Sequence, residues 1–329
     1  MISRRTFAIS SAAAFSIRLA TAEPVWRARQ FHNQPEESHQ HRFLVDLWTA
    51  VRRETNGRFV CTVHAQNGGI AGSDPAALRM LVRGELEFFT LMGGILGQVV
   101  PVAEIQGLPF TFADTRHVYQ AMDGELGNYL RTEMAARGIY GFPGGVLQNG
   151  FRQISMKTAP VRTVRDLAGQ RIRVPDGEMF RDFFQTLGAV PVTVNIRDLY
   201  DSLKNGRVDG QENPLVVTEF NRLYEVTKYT SMTNHMWSGF NQLANREFWT
   251  SLPEDVQRVI GYNVRKHVAR QRRFTDKLNA ALETTLARRG VIFNTADTAT
   301  FRAELGPFYQ RWRHALGERA WSLLPAITV

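Results

Sequence analysis

Residues 169–214 read "GQRIRVPDGEMFRDFFQTLGAVPVTVNIRDLYDSLKNGRVDGQENP", and this stretch decides the predicted fold. Hydrophobic periodicity predicts a strand at "GQRIRV", a helix at "GEMFRDFFQTLG", a second strand at "AVPVTV" and a second helix at "IRDLYDSLKNG". We expect the helices to end at Gly188 and Gly206, because glycine is favoured just past a helix end. Strands that alternate with short helices in this way are typical of an α/β fold.

The first half of the chain repeats the same unit. "LVRGELEF" (81–88) and "LKNGRVDG" (203–210) both predict a last helical turn, a glycine and then a strand. A helix at "HQHRFLVDLWTAVRRETNG" (39–57) and a strand at "RFVCTVHA" (58–65) precede the first copy. Because 329 residues exceed what one hydrophobic core usually organises, two α/β lobes of similar build are predicted.

The last third of the chain has a different pattern. Apolar residues recur at helical spacing through residues 252–290, which predicts one long helix or two joined helices that end at Gly290. The strand-like "VIF" follows, and "FYQRWRHALGERAWSLL" (308–324) predicts one further amphipathic helix. We interpret the basic run "RKHVARQRR" (265–273) as the solvated face of the long helix.

The N-terminus is typical of an export signal. "MISRRTFAISSAAAFSIRLATAEP" carries Arg4 and Arg5 before a modestly apolar stretch, and the small residues that end at Ala22 suit a cleavage site. Twin arginines predict a twin-arginine signal over residues 1–22, cleavage near Ala22 and a periplasmic mature chain. A general secretory signal that carries two arginines is the alternative.

The net charge and the cysteine content limit the kinds of ligand and partner that the protein can bind. The formal charge of +9 falls to +6 without residues 1–22, because this segment holds Arg4, Arg5 and Arg18 and no acidic residue. Such an excess often indicates nucleic acid, but export disfavours that partner and favours an anionic ligand or surface. The lone Cys61 cannot form an internal disulfide and leaves no thiolate metal cluster.

No motif predicts catalysis. HExxH, GxSxG and a phosphate-binding loop are absent, since "NGGIAG" (67–72) lacks the GK[ST] ending. His32, His39 and His41 are close in sequence, but helix residues two apart face different directions. We therefore predict no catalytic residues, no metal site and no cofactor. An exported enzyme that carries a cofactor stays open as an alternative.

The sequence does contain a candidate residue for binding an anion. Arg173 alternates with Ile172 and Val174 in the predicted strand "RIRV", so its side chain points to the opposite face from theirs. At the carboxyl end of an α/β strand this face often opens into a ligand crevice. A guanidinium binds a carboxylate through two parallel hydrogen bonds, although an arginine that extends to solvent is the alternative.

Residues 157–217 contain "RIRVP" followed by "VDGQENP", and at this spacing the chain resembles the DctP-type solute-binding proteins. These are the extracytoplasmic receptors of TRAP (tripartite ATP-independent periplasmic) transporters. The resemblance extends over most of the mature chain, through "FHNQPEESHQH", "ETNGRFVCTVHAQNGGIAG", "VPVAEIQGLPFTFAD" and "SLPEDVQRVI" in the expected order.

The resemblance implies a two-lobed periplasmic binding protein fold with a hinge and a long bridging helix. It implies a first domain of residues 23–149 plus about 239–279, and a second domain of residues 150–238 plus about 280–329. The chain would bind a small organic carboxylate between the lobes and deliver it to the small and large TRAP membrane subunits. A receptor that serves a sensor instead is an alternative. The sequence carries no signal for the oligomeric state, and a monomer is the default expectation.

The resemblance also implies roles for individual residues. Arg173 would bind the ligand carboxylate, Arg152 would assist it, and Asn213 would contact the ligand, whereas Glu212 would be structural. Asn33 aligns with an early pocket residue.

Two further points concern the shape of the pocket. Trp237 is either an aromatic wall of the pocket or a core residue. Sialic acid binders carry acidic residues where this chain has Ser73 and Met92, which argues against an amino-sugar acid and favours a smaller or less polar carboxylate. Oxo acids, dicarboxylates, aromatic acids and sugar acids remain open.

Overall fold

The computed structural model describes residues 25–325, and the predicted export signal with its cleavage point near Ala22 lies outside this range. The strands are β1 (Trp26–His32), β2 (Phe59–His64), β3 (Phe88–Met92), β4 (Ile139–Phe151), β5 (Gln153–Met156), β6 (Arg171–Val174), β7 (Val190–Thr193), β8 (Gly210–Asn213), β9 (Tyr229–Met232), β10 (Trp237–Asn245) and β11 (Ile292–Thr295). The α-helices are α1 (His39–Glu54), α2 (Ser73–Arg83), α3 (Gly93–Leu96), α4 (Thr115–Asp123), α5 (Glu125–Ala135), α6 (Glu178–Thr186), α7 (Leu199–Lys204), α8 (Leu215–Phe220), α9 (Arg246–Ser251), α10 (Glu254–Arg288), α11 (Thr298–Ala303), α12 (Gly306–Leu316) and α13 (Glu318–Trp321). None of these helices combines the length and the apolar character needed to cross a bilayer.

The first lobe is built on a five-stranded sheet in the order β2-β1-β3-β10-β4. β1 is parallel to β2 and β3, and β10 runs antiparallel to β3 and β4. Trp48 of α1 packs against Phe88 of β3 with ring centroids 4.5 Å apart, and Phe59 of β2 stacks on the same indole. These buried rings hold the helix on the sheet, because large aromatic side chains dominate the apolar area that a core removes from water.

The second lobe is built on a six-stranded sheet in the order β11-β9-β5-β8-β6-β7. β6 is parallel to β7 and β8, so the carboxyl ends of β6 and β8 lie at one edge of this sheet. Phe183 and Phe184 of α6 are fully buried, and Phe183 packs edge-on against Phe308 of α12. This architecture confirms the predicted two-lobed α/β fold.

Besides the connection through α10, the chain crosses between the sheets at two adjacent points. It leaves β4 and enters β5 through Arg152, and it returns from β9 to β10 through residues 233–236. The backbone N–H of Arg152 donates to the carbonyl of Met236 at 2.8 Å, so the two crossings are joined. Side chains at these crossings are therefore held between the lobes.

Helix α10 spans both lobes. Its 35 residues extend over about 52 Å at 1.5 Å per residue. Val256 and Ile260 pack into the core cluster that contains the first sheet, whereas Leu282 and Leu286 pack into a second cluster in the second lobe. Gln271 hydrogen-bonds both the N–H and the carbonyl of Gln148, at 2.9 and 2.6 Å, and so satisfies the backbone of edge strand β4.

Most predicted elements are present in the structure. Of the two alternatives for residues 252–290, the structure has one long helix, Glu254–Arg288. The predicted helix over 308–324 was wrong as a single element, because it divides into α12 and α13 at Gly317. Gly317 has a φ of 83°, which an L-residue in a continuous helix does not adopt.

Candidate ligand-binding cleft

Arg173 occupies the carboxyl half of β6 and is 3% exposed. Its Nε donates to the carbonyl of Val194 at 2.8 Å, which fixes the plane of the guanidinium. Among the residues 25–325, no group accepts a hydrogen bond from its two terminal nitrogens. Burial lowers the pKa of Arg173 to about 10, so the side chain stays cationic at neutral pH and presents two parallel donors without an acceptor.

Arg152 is also buried, but its charge is compensated. Its Nε and Nη2 both donate to the carboxylate of Glu212, and Nη2 also donates to the Glu212 carbonyl at 2.7 Å. His235, from the second crossing, lies 3.3 Å from the same carboxylate. Burial alone would raise the pKa of Glu212, but Arg152 and His235 together hold it below its ordinary value. This buried ion pair therefore holds the two crossing segments together.

A cavity of about 20 Å³, the inner cavity, lies between the lobes at this point. Four residues that the sequence singled out line it together: Asn33, Arg152, Arg173 and Asn213. Its remaining lining residues, some polar and some apolar, are Gln34, Asp74, Met92, Ile95, Asn149, Pro175, Ile196, Val217, Ser238 and Phe240. A larger cavity of about 210 Å³, the outer cavity, shares Arg173 and Asp74 with it and is also lined by Asn195 and by the exposed Arg197.

The two predicted asparagines are held by neighbours within the cavity wall. The amide of Asn213 accepts from Nη2 of Arg152 at 3.1 Å and donates to Gln211 at 2.5 Å. The amide of Asn33 donates to Asp74 at 2.8 Å. Both side chains are therefore oriented before any ligand arrives.

Trp237 does not line either cavity. It is 3% exposed, its indole N–H donates to Gln148 at 2.7 Å, and its ring covers Gly239 so closely that a Cβ there would lie 2.0 Å from it. The aromatic ring that does line the inner cavity belongs to Phe240, three residues further along β10. Of the two interpretations of Trp237, the geometry favours the core residue.

Asp74 is the residue that the sequence reasoning missed. It is 3% exposed, lines both cavities, and accepts from Asn33 at 2.8 Å and from Asn67 at 2.6 Å. Burial raises its pKa, against the opposing effect of the two amides. Asp74 lies in the first turn of α2, where an acidic residue is favourable in any helix. Its sequence position therefore gives no indication that it lies at the cleft.

The segment around Asp74 has an unusual backbone. Gln66, Asn67 and Ser73 adopt left-handed conformations, with φ values of 49°, 53° and 42°. Such conformations cost free energy in non-glycine residues and persist where the surrounding structure determines them, often at ligand sites. The bond from Asn67 to Asp74 is one contact that this backbone makes possible.

The lobes contact each other beside the cavities. Glu104, in the 3₁₀ helix Pro101–Gly107 of the first lobe, accepts from the backbone N–H of Met179 at 2.7 Å. This N–H lies in the first turn of α6, whose own N-cap Gly177 offers no side chain. Gly94 approaches Phe180 so closely that a Cβ on the glycine would lie 2.4 Å from the ring. A first-lobe carboxylate thus caps a second-lobe helix.

Two α/β lobes, crossed by the same chain and enclosing an arginine with free donors, define the class of two-lobed solute-binding proteins. Residues 31–315 match the family model of the bacterial extracellular solute-binding proteins, family 7 (DctP), and the chain belongs to this family. The family match confirms the resemblance seen in the sequence.

Individual relatives agree with this assignment. A solute-binding protein of Chromohalobacter salexigens is 26% identical over 301 residues, which cover 90% of this chain and 87% of the relative. An uncharacterized protein of Sinorhizobium fredii is 34% identical over 209 residues, which are 64% of this chain but 38% of that longer protein. A crystal structure of a TRAP periplasmic solute-binding protein from Polaromonas sp. JS666, bound to D-erythronate, superposes with a TM-score of 0.85. That protein is 26% identical, and the match covers 92% of this chain and 99% of the other.

Proposed function

We propose that this protein is an extracytoplasmic receptor that binds a small organic carboxylate between its lobes and delivers it to TRAP membrane subunits. The observation that carries the proposal is the buried guanidinium of Arg173, whose terminal nitrogens have no acceptor among the described residues. A buried cation without a partner is costly, and a carboxylate with two oxygens supplies the missing charge and both acceptors.

Arg173 is the carboxylate-binding residue in this proposal. Arg152, which Glu212 neutralises, holds Asn213 and the crossing in place and contacts the ligand from the side. Asn33 and Asn213 contribute amide groups to the pocket. Trp237 does not touch the ligand in this proposal. It is a buried core residue whose indole N–H donates to Gln148 of β4.

The domain division that we propose is residues 23–149 plus about 239–279, and residues 150–238 plus about 280–329. It is supported by the sheet membership of β4 and β10 on one side and of β5 to β9 and β11 on the other. Residues 1–22 are proposed to export the chain to the periplasm, where it acts as a monomer. The ligand is bound and released without chemical conversion.

Closure of the lobes accounts for affinity. Micromolar binding requires about 8 kcal/mol, whereas each hydrogen bond to a charged group contributes about 1.5–3 kcal/mol. Two bonds from Arg173 are therefore insufficient. The rest comes from enclosure, since the inner cavity of about 20 Å³ is smaller than any ligand and must widen on entry and close again around it.

A thermal-shift screen tests the proposal. The protein, purified from the periplasm of an expression host and refolded free of co-purified ligand, is heated with small carboxylates and with the amide of each. An acid at a hundred times its dissociation constant adds about 2.7 kcal/mol to the free energy of unfolding, which raises the melting temperature visibly. We expect shifts from acids that their amides do not produce. Equal shifts from acid and amide, or no shift from any acid, would contradict the proposal.

A further inference from the structure

The inner cavity contains one negative side chain opposite its free positive one. Asp74 and Arg173 both line it and interact electrostatically, but no hydrogen bond joins them. Asp74 comes from α2 of the first lobe and Arg173 from β6 of the second, so the space between them is where a ligand enters. A molecule that lies between the lobes must satisfy both groups.

The charges within the cavity favour a ligand with one carboxylate. Arg152 is paired with Glu212, which leaves Arg173 as the cation whose terminal donors are unsatisfied. A second carboxylate on the ligand would approach the Asp74 side of the cavity. Like charges at short distance in a buried site repel strongly, so a dicarboxylate is disfavoured there.

The polar groups around Asp74 favour hydroxyls over an ammonium group. Each oxygen of Asp74 already accepts one amide N–H, from Asn33 or Asn67, and retains a further acceptor position. Asn33, Asn149 and Ser238 line the same cavity, and side chains of these types carry both donors and acceptors. Hydroxyls also do both, whereas an ammonium, although its charge complements that of Asp74, only donates and cannot accept from the other polar groups of the cavity. Two neighbouring hydroxyls match the two oxygens of one carboxylate.

We infer that the ligand is a polyhydroxylated monocarboxylate, a sugar acid, whose carboxylate binds Arg173 and whose hydroxyls donate to Asp74. The inference rests on the proposed function and adds the residue that selects among carboxylates. An acid without hydroxyls would leave the remaining acceptor positions of the buried Asp74 carboxylate without donors, and this costs affinity.

Titration calorimetry with matched six-carbon acids tests this inference. D-gluconate, hexanoate, adipate and 6-aminohexanoate share a carboxylate and differ in their other groups, and a set of four- to six-carbon aldonates and uronates covers stereochemistry. We expect at least one hydroxylated acid to bind at least ten times more tightly than hexanoate, adipate and 6-aminohexanoate. If one of those three binds more tightly than every hydroxylated acid, the inference fails while the proposed function stands. If no acid binds, both fail.

The substitution Asp74→Asn tests whether Asp74 is the residue that favours hydroxylated acids over other carboxylates. It keeps the size of the side chain and removes its charge, so we expect the hydroxylated acid to bind roughly 10- to 100-fold more weakly and hexanoate to bind no more weakly than before. Asp198→Asn is the matched control, because Asp198 lies at the exposed rim of the outer cavity. Circular dichroism checks that both variants fold. An unchanged affinity of Asp74→Asn for the hydroxylated acid would overturn the role of Asp74, and the comparison of acids on the unmodified protein stands even if this variant does not fold.

Discussion

The substitution Arg173→Lys tests how the cleft recognises a carboxylate. Arg173 uses Nε to bond the Val194 carbonyl at 2.8 Å and keeps both terminal nitrogens for the ligand. Lysine has a single nitrogen, which cannot hold Val194 and also donate two parallel bonds to a carboxylate. The variant keeps the positive charge but loses this geometry.

The magnitude follows from the bonds that are lost. A hydrogen bond to a charged group contributes about 1.5–3 kcal/mol, so the loss of one of the two ligand bonds weakens binding roughly 10- to 150-fold. Titration calorimetry with the best acid from the thermal-shift screen measures the change. We expect the loss in enthalpy as well as in affinity, because the missing bond is charge-assisted.

Arg171→Lys is the matched control on the same strand. Arg171 is an exposed side chain whose guanidinium pairs with Asp209 rather than lining the cleft. We expect this variant to bind the acid as the unmodified protein does. If Arg173→Lys bound within threefold of the unmodified protein, or if Arg171→Lys were equally damaging, the assignment of the carboxylate to Arg173 would be refuted.

Three further predictions concern stability, each measured by denaturant unfolding. Burial raises the pKa of Glu104 to about 7, so the folded state holds its proton more tightly and this contribution, up to about 3 kcal/mol, is lost as the pH rises from about 4.5 to 7. Glu104→Gln should abolish that part of the pH dependence, and an identical profile would contradict it. Burial among Phe220 and Phe274 lowers the pKa of His39 to about 4, so stability should fall as the pH drops from 6.5 to 4. His39→Leu should flatten this fall, and a fall as steep as before argues against the assignment. Glu212→Gln should cost about 3 kcal/mol, because it leaves Arg152 buried without its counter-ion; a loss below 1 kcal/mol would show that the pair is dispensable.

Local patterns predicted the lobes well because each element carries its own signal. The helix–glycine–strand unit at "LVRGELEF" and at "LKNGRVDG" corresponds to α2, Gly84 and β3, and to α7, Gly206 and β8. Both glycines have positive φ values, 76° and 72°, so the residue type follows from backbone geometry. The end of α12 was missed because Gly317 lies within an otherwise continuous amphipathic pattern.

Local pattern predicted Arg173 as a site residue, whereas Arg152, Asn33 and Asn213 were predicted from the family resemblance. Arg173 stands out as a charge within an apolar strand, and the structure brings it to the cavity together with Arg152, Asn33 and Asn213. Asp74 gave no such signal, because an acidic residue in the first turn of a helix is favourable in itself. Its position opposite Arg173 depends on how the two lobes meet, which no local pattern contains.

A crystal structure of the protein with its best carboxylate ligand tests the central claim most directly. We predict both carboxylate oxygens within about 3.2 Å of the two terminal nitrogens of Arg173, a distance set by hydrogen-bond geometry. The bond from Arg173 to Val194 and the pair of Arg152 with Glu212 should be retained. A ligand whose carboxylate binds Arg197 in the outer cavity, with the terminal nitrogens of Arg173 still free, would contradict the account.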